Sequence, residues 1–164
     1  MQACDKQIKT ELAKVSYYPK DNIWLLREQY CYPDENKKAE VILYECFHFD
    51  LASIPRFFWR IVAIHELSLE ATLVHDFMYM SRGGEKKFFQ EKKGILGNCV
   101  EEKEILGKIE PLGIRYSRKE ADDLFLKMME DSHVNRYRRF LSYIGVRIFG
   151  IFYWRPEWLD KFLR

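Results

Sequence analysis

The chain has 164 residues, of which 48% are hydrophobic and 16% aromatic, so it is not a disordered polypeptide and can bury a core of its own. Its 27 basic and 25 acidic residues leave a formal net charge of +2, which gives no overall attraction to nucleic acid or to an anionic membrane, so any basic surface must be local. No charge-free apolar run reaches the roughly 18 residues of a membrane span, and residues 1–11 lack the apolar centre of a signal peptide. A cytoplasmic protein with its four cysteines reduced is therefore expected.

Extended segments are predicted first along the chain. Residues 23–32 and residues 39–44 have the composition of β-strands, and the turn-forming sequence Pro-Asp-Glu-Asn stands between them at residues 33–36. Together they predict a β-hairpin. A third short extended segment is predicted at residues 46–49.

Three later segments have the periodicity of helices. Residues 67–80 are apolar on most sides, which predicts a buried helix. Ser117 and Glu120 have the spacing of a capping box, and apolar residues follow at helical spacing as far as Met129. A third helix is predicted over residues 135–153. The predicted fold class is α+β: a small antiparallel hairpin or sheet packed against three or more helices, in one domain spanning residues 1–164.

Residues 83–111 break this pattern. They combine several glycines with many lysines and glutamates, so they offer little to bury. We expect a mobile loop or lid here, with a short helix near residues 100–106, and we expect it to be the most mobile part of the chain.

Polar side chains inside the predicted buried helix need an explanation. His75 and Tyr79 lie one turn apart on the same face, and Asp76 projects about 100° away. A buried aspartate is costly unless it is paired, hydrogen-bonded or bound to metal. The three residues form either a candidate chemical site or a satisfied polar network that locks helices together.

Two further places in the chain can contribute to such a site. Helical phase puts Asp122 at the edge of the buried face of the second helix and Asp123 on its solvent face. If the two helices are neighbours, Asp122 can accept a hydrogen bond from His75. Asp50 and Ser53 precede the first helix and are candidates too, although an Asx-turn or a helix cap explains them equally.

Four sequence blocks give the chain a family resemblance. They are FDLASIPR at residues 49–56, LVHDFMY at 73–79, SRKEADDLF at 117–125 and YIGVRIFG at 143–150. In this order they resemble the family of unknown function named DUF1353. The resemblance implies a phage or prophage protein in a bacterial host, and it brings Arg56 among the candidate site residues with Ser53. The stretch between Tyr79 and Ser117 is long for this family, which implies that residues 83–111 are a flexible insertion.

A second resemblance is local. His-Asp-x-x-Tyr followed by Ala-Asp-x-x-Phe is similar to the catalytic core of the phospholipase A2 superfamily. That resemblance implies that His75 is the general base for a water molecule and that Asp122 orients it, supported by Tyr79. It also implies that Asp76 binds Ca²⁺ or another divalent metal, with Asp50 or backbone carbonyls near it completing the metal shell.

The predicted C-terminal helix combines an apolar stripe with a basic one. Arg136, Arg139 and Arg147 lie beside the apolar residues. The expected structure is an ordinary packed helix whose arginines pair with acidic neighbours. The alternatives are docking of this helix to a membrane surface, to a protein or to nucleic acid.

Two functions from different classes follow. The first is a metal-assisted hydrolase of esters or phospholipids that uses His75, Asp76 and Asp122. The alternative is a non-catalytic phage accessory protein that acts by protein binding, in which the same residues form a buried structural network.

Overall fold

A computed structural model describes residues 12–19, 23–49, 67–85, 89–90 and 104–154 of the chain, with the backbone alone at residues 89–90 and 104–105. These residues form two compact units, each assembled from two stretches of chain. The first unit takes the described residues up to Phe49 and those from Gly84 to Arg115, and the second takes residues 67–83 and 116–154. The prediction of a single domain stays a prediction.

The first unit is made of strands. In chain order they are β1 (Val15–Tyr18), β2 (Ile23–Leu26), β3 (Tyr30–Asp34), β4 (Ala39–Leu43), β5 (His48–Phe49), β6 (Phe89–Gln90), β7 (Glu104–Ile105) and β8 (Gly107–Glu110). They form one antiparallel sheet in the order β1-β2-β5, a second in the order β3-β4-β8, and the short pair β6-β7.

The predicted hairpin is present as β3 and β4, in which Asp34 pairs with Ala39 around a turn at residues 35–38. The single strand predicted over residues 23–32 is wrong, because β2 and β3 lie in different sheets. The two strands separate at Arg27, directly after the end of β2. Its guanidinium donates to Ser16 Oγ at 2.8 Å and to the Tyr18 hydroxyl at 2.6 Å, which holds the end of β2 against β1.

The expectation of reduced cysteines is wrong for two residues. Cys31 in β3 and Cys46 before β5 are both disulfide-bonded. The four cysteines have no CxxC or CxxH spacing that would indicate their state, and residues 1–11 lack a signal-peptide pattern, which is why the sequence predicts reduced thiols. Disulfides persist mainly in oxidising compartments. The predicted cytoplasmic location therefore has no support from these cysteines and stays a prediction.

Ordered strands lie within the predicted insertion. β8 pairs with β4 through Val41 and Ile109, and Ile109 is buried. The helix predicted near residues 100–106 is wrong at its end, because residues 104–105 are strand β7. Residues 86–88 and 91–103 are outside the described residues, so the predicted mobility of this segment stays a prediction.

The second unit contains three helices in its described part: α1 (Leu69–Met80), α2 (Arg118–Asp131) and α3 (Arg136–Tyr153). α1 packs against α2, and α2 packs against α3. Every residue from Ala71 to Tyr79 is buried, as predicted for this helix. None of the described helices combines the length and apolar character that crossing a bilayer requires. The α+β class predicted from the sequence is confirmed.

Side-chain caps begin all three helices. The side chains of Ser68, Ser117 and Asn135 accept hydrogen bonds from backbone N–H groups in the first turns of α1, α2 and α3. At α2 the predicted capping box is complete, because Glu120 also accepts from the Ser117 backbone N–H at 2.7 Å. These bonds satisfy donors that a helix start otherwise leaves without partners.

Small residues line the buried side of α3. They are Ser142, Gly145, Val146 and Gly150. The apolar stripe that was expected to pack is instead largely exposed, with exposed fractions of 58% at Phe140 and 56% at Ile148. Small side chains allow two helices to approach closely, and this requirement decides which face of α3 turns inward.

The two stretches of the second unit are joined by a backbone contact. The Tyr116 N–H donates to the Gly83 carbonyl at 2.9 Å. Gly83 has a φ of 66°, and a Cβ there would overlap the Tyr116 carbonyl oxygen. Glycine is therefore required at this position, both for its backbone conformation and for the space it leaves.

The capping box at α2 provides a test of the fold. Ser117→Ala should lower the free energy of unfolding by about 1 kcal/mol, because the Glu120 N–H loses its acceptor. Ser117→Gly should cost only a few tenths of a kcal/mol, since glycine suits a helix N-cap. Urea titration of the two variants measures both. Equal stability of Ser117→Ala and the natural protein would contradict a contribution from this cap.

Candidate functional site

The centre of the second unit is the carboxylate of Asp122, which is fully buried. Residues Ala121 and Phe125 beside it on α2 are buried too, and the helical phase predicted from the sequence brings Asp122 to this face. A buried carboxylate loses its hydration, so the protein must replace it with donors.

Two donors come from α1. His75 Nε2 lies 3.1 Å from Asp122 Oδ1, and the Tyr79 hydroxyl donates to the same oxygen at 2.6 Å. His75 and Tyr79 are one helical turn apart, so both reach one carboxylate. The predicted contact between Asp122 and His75 is therefore present.

The other oxygen of Asp122 faces two arginines. Arg147 of α3 donates to Oδ2 at 2.8 Å, and Arg118, one turn before Asp122 on α2, lies 3.7 Å from it. Arg118 also donates to the backbone carbonyl of Arg147 at 3.0 Å. The two guanidinium groups more than balance the single charge of Asp122, so the cluster does not need a charged His75.

Aromatic rings hold the His75 imidazole. The Tyr79 ring lies 4.3 Å from it and the Phe125 ring 4.6 Å from it, between ring centroids, and His75 is only 2% exposed. Trp154 meets the Tyr79 ring edge-on at 5.1 Å. This packing fixes the imidazole plane in line with Asp122.

The pKa values of the cluster follow from burial and its hydrogen bonds. Burial lowers the pKa of His75 below 6.5, and the bond to Asp122 offsets only part of this. Burial alone would raise the pKa of Asp122, but donors from His75, Tyr79 and Arg147 outweigh it and hold the pKa below 3.8. Burial and the bond to Asp122 raise the pKa of Tyr79. At neutral pH Asp122 is charged, while His75 and Tyr79 are neutral.

These charge states assign the imidazole tautomer. An ionised carboxylate only accepts hydrogen bonds, so the neutral His75 ring must carry its proton on Nε2. The other nitrogen, Nδ1, is then an unprotonated acceptor. A ring held this way, with its free nitrogen basic, has the arrangement that general-base catalysis requires.

Asp76 is also buried, with 2% exposure, but it is not a partner of Asp122. No group of three or more His, Cys, Asp or Glu residues suited to a metal ion occurs among the described residues. Ca²⁺ takes six to eight oxygen ligands. Asp76 alone cannot fill that shell, and the predicted ligand Asp50 lies outside the described residues, as do Ser53 and Arg56.

Asp123 behaves as its helical phase predicts. Its side chain is 41% exposed and accepts from Lys119 and from the Tyr143 hydroxyl, each at 2.6 Å. It joins α2 to α3 at the surface and takes no part in the buried cluster. The two adjacent aspartates thus have different environments.

Three contributors were missed by the sequence reasoning. Arg118 precedes Asp122 by four residues, a spacing that indicates an ion pair on a helix, and Arg147 belonged to the predicted basic stripe. Gly150 could not be found in this way. A Cβ at Gly150 would overlap the Tyr79 hydroxyl, so α3 must carry glycine for Tyr79 to reach Asp122.

A family model described as "Protein of unknown function (DUF1353)" matches residues 24–146. The match contains His75, Asp76, Tyr79, Arg118 and Asp122 and ends one residue before Arg147. No curated protein and no solved structure matches the chain.

The buried state of His75 predicts a pH dependence of stability. Below pH 6.5 the unfolded chain binds a proton that the folded protein excludes until its lower pKa is reached, so stability falls as the pH falls through this window. The slope approaches about 1.4 kcal/mol per pH unit. His75→Gln, which keeps a donor for Asp122, should flatten the urea-unfolding free energy between about pH 6.5 and 5.

The matched control for this measurement is His133→Asn. His133 is exposed, and its φ of 56° suits asparagine. This variant should keep the natural slope. An unchanged slope in His75→Gln would show that His75 is not the excluded proton site.

Gly150 and Gly145 on the same helix form a second test. Gly150→Ala should destabilise the protein by about 1–3 kcal/mol, because the new methyl group displaces the Tyr79 hydroxyl from Asp122. In Gly145→Ala the new methyl group meets no atom of the described residues within 4 Å, and the variant should stabilise α3 by roughly 0.5–1 kcal/mol through helix propensity. Thermal unfolding of the pair measures this difference, and similar changes in both variants would contradict the close approach at Gly150.

Proposed function

The chain belongs to the DUF1353 family of proteins of unknown function, and we propose that it is a hydrolase of carboxylic or phospholipid esters in which His75 is the general base. The observation that carries the proposal is the bond from His75 Nε2 to the buried Asp122 carboxylate. It leaves His75 Nδ1 unprotonated at neutral pH. Tyr79 and the two arginines fix Asp122 in turn.

In the proposed reaction, His75 Nδ1 takes a proton from water as the water oxygen attacks the ester carbonyl carbon. The bond from carbon to the leaving alkoxide then breaks, and the alkoxide takes the proton back from Nδ1. Asp122 and Tyr79 are positioning residues. Asp122 holds the ring through Nε2 and stabilises the transient imidazolium, while Arg147 and Arg118 keep Asp122 ionised throughout.

The proposed cofactor is Ca²⁺ or another divalent cation at Asp76. This part rests on the resemblance to phospholipases A2, in which the aspartate after the catalytic histidine binds calcium. Asp76 would supply one carboxylate, and the further ligands that the resemblance implies are Asp50 or backbone carbonyls near it. No step above depends on the cation.

One observation favours a second candidate function. His75 is 2% exposed, and the rings of Tyr79 and Phe125 pack against it. A substrate reaches Nδ1 only if this packing opens. In a non-catalytic interaction protein the same cluster needs no opening, because it serves only to hold α1, α2 and α3 together.

Hydrolysis assays separate the two functions. The natural protein should cleave ester or phospholipid substrates at a rate that rises with pH through a pKa below 6.5 and then levels off, since the neutral imidazole is the active form. His75→Gln should lose at least about 10²-fold of this activity and remain folded. His133→Asn, at an exposed histidine, should keep it. Absence of hydrolysis in the folded natural protein at every pH would overturn the hydrolase.

The cation is tested by thermal melting. Ca²⁺ should raise the melting temperature of the natural protein through ligand linkage, and Asp76→Asn should abolish the shift. If no divalent ion changes the melting temperature, the metal part of the proposal fails. In that case Asp76→Ala is expected to destabilise the protein by about 1–3 kcal/mol by removing one member of a buried polar network.

A further inference from the structure

We propose that the outward face of α3 docks onto an anionic phospholipid surface. Large apolar side chains cover this face from one end of the helix to the other. Their exposed fractions run from 56% to 70%, and they are Tyr137, Phe140, Ile148, Ile151 and Phe152. These residues are called the α3 stripe below. The docking surface goes beyond the proposed hydrolysis and does not depend on it.

The α3 stripe takes no part in the buried side of α3. The buried residues of α3 are Ser142, Gly145, Val146 and Gly150, and none of them belongs to the α3 stripe. Single exposed apolar residues are ordinary, but five on one helix face, two near its start and three near its end, mark an interaction surface. At about 1.5 Å per residue the row from Tyr137 to Phe152 is roughly 22 Å long.

The charge of α3 indicates which kind of surface binds the α3 stripe. Residues 132–156 contain five arginines and no aspartate or glutamate. Arg136 and Arg147 are eleven residues apart, about three turns, so both begin at the same edge of the α3 stripe. Arg147 reaches inward to Asp122, which leaves Arg136 exposed to solvent at this edge. An apolar face bordered by arginines fits a layer whose interior is apolar and whose surface is anionic, as in a bilayer of acidic phospholipids.

The first turn of α3 strengthens this assignment. Arg136, Arg138 and Arg139 all stand in or next to it, and it holds no acidic residue. A helix N-terminus carries partial positive charge, so cations there oppose the helix dipole. Arg139 is offset by Glu130 at 3.1 Å, whereas Arg136 is exposed and makes no ion pair with any described residue. Anionic headgroups would relieve this repulsion.

Self-association through the α3 stripe is disfavoured by the same charges. Two copies meeting along α3 would bring two arginine edges together, and neither helix offers an acidic partner. The aromatic members also suit a bilayer interface, where tyrosine and phenylalanine rings sit between headgroups and acyl chains.

Vesicle sedimentation tests the surface on the full chain. Vesicles of equal phosphatidylglycerol and phosphatidylcholine should bind the protein, and pure phosphatidylcholine vesicles should bind it less. Binding should weaken between about 0.1 M and about 1 M salt, as expected for headgroup attraction. Failure of the natural protein to bind the anionic vesicles overturns the proposal.

Three variants sharpen the test. Phe140→Glu with Ile148→Glu changes two exposed members of the α3 stripe and should reduce vesicle binding at least about tenfold. Arg136→Glu should remove the preference for anionic vesicles, and it favours the helix dipole, so α3 is preserved. Leu112→Glu is the matched control, since Leu112 is 88% exposed and lies in the first unit. It should bind like the natural protein.

The outcomes are distinct from those of the hydrolysis assay, because sedimentation involves no turnover. His75→Gln should bind vesicles normally even where hydrolysis is lost. Light scattering after size exclusion measures the oligomeric state and so tests the remaining alternative, a dimer formed through the α3 stripe. If the natural protein is a dimer that the Phe140→Glu/Ile148→Glu variant converts to a monomer, a second copy covers the α3 stripe and the membrane proposal is overturned.

Discussion

A single buried carboxylate holds the helical unit together. Asp122 receives hydrogen bonds from α1 through His75 and Tyr79 and from α3 through Arg147, while it stands on α2 itself. Each of these groups would be costly to bury alone. Their mutual satisfaction therefore fixes where the three helices meet, and it also dictates the charge state of every member. The unprotonated Nδ1 on which the proposed chemistry of His75 depends follows from the same hydrogen bonds.

Local signals in the sequence were sufficient for much of this unit. The capping box at Ser117 set the start of α2, and once the start is known, a rotation of about 100° per residue separates Asp122 from Asp123. The apolar surroundings of His75 predicted its burial. Because a buried polar pair must satisfy itself, the contact between His75 and Asp122 could be predicted as well.

The remaining features depend on contacts that periodicity does not encode. The apolar stripe of α3 predicted an inward face, but the close approach of α3 to Tyr79 requires glycine at residue 150 and turns the small residues inward instead. Composition alone predicts one strand across β2 and β3. It does not show the break at Arg27, because side chains of β1 hold Arg27 in place. The state of Cys31 and Cys46 follows from three-dimensional proximity, which spacing along the chain does not reveal.

The backbone contact between Gly83 and Tyr116 makes the chain between them a closed excursion from the helical unit. Its two ends meet whatever lies between, and the entropy of closing such a loop grows only logarithmically, by about 0.6 kcal/mol for each doubling of its length. Evolution can therefore lengthen or shorten this excursion at little thermodynamic cost. Gly83 is then a position of this excursion that does not tolerate a side chain, because a Cβ there overlaps the carbonyl oxygen of Tyr116, the residue that closes it.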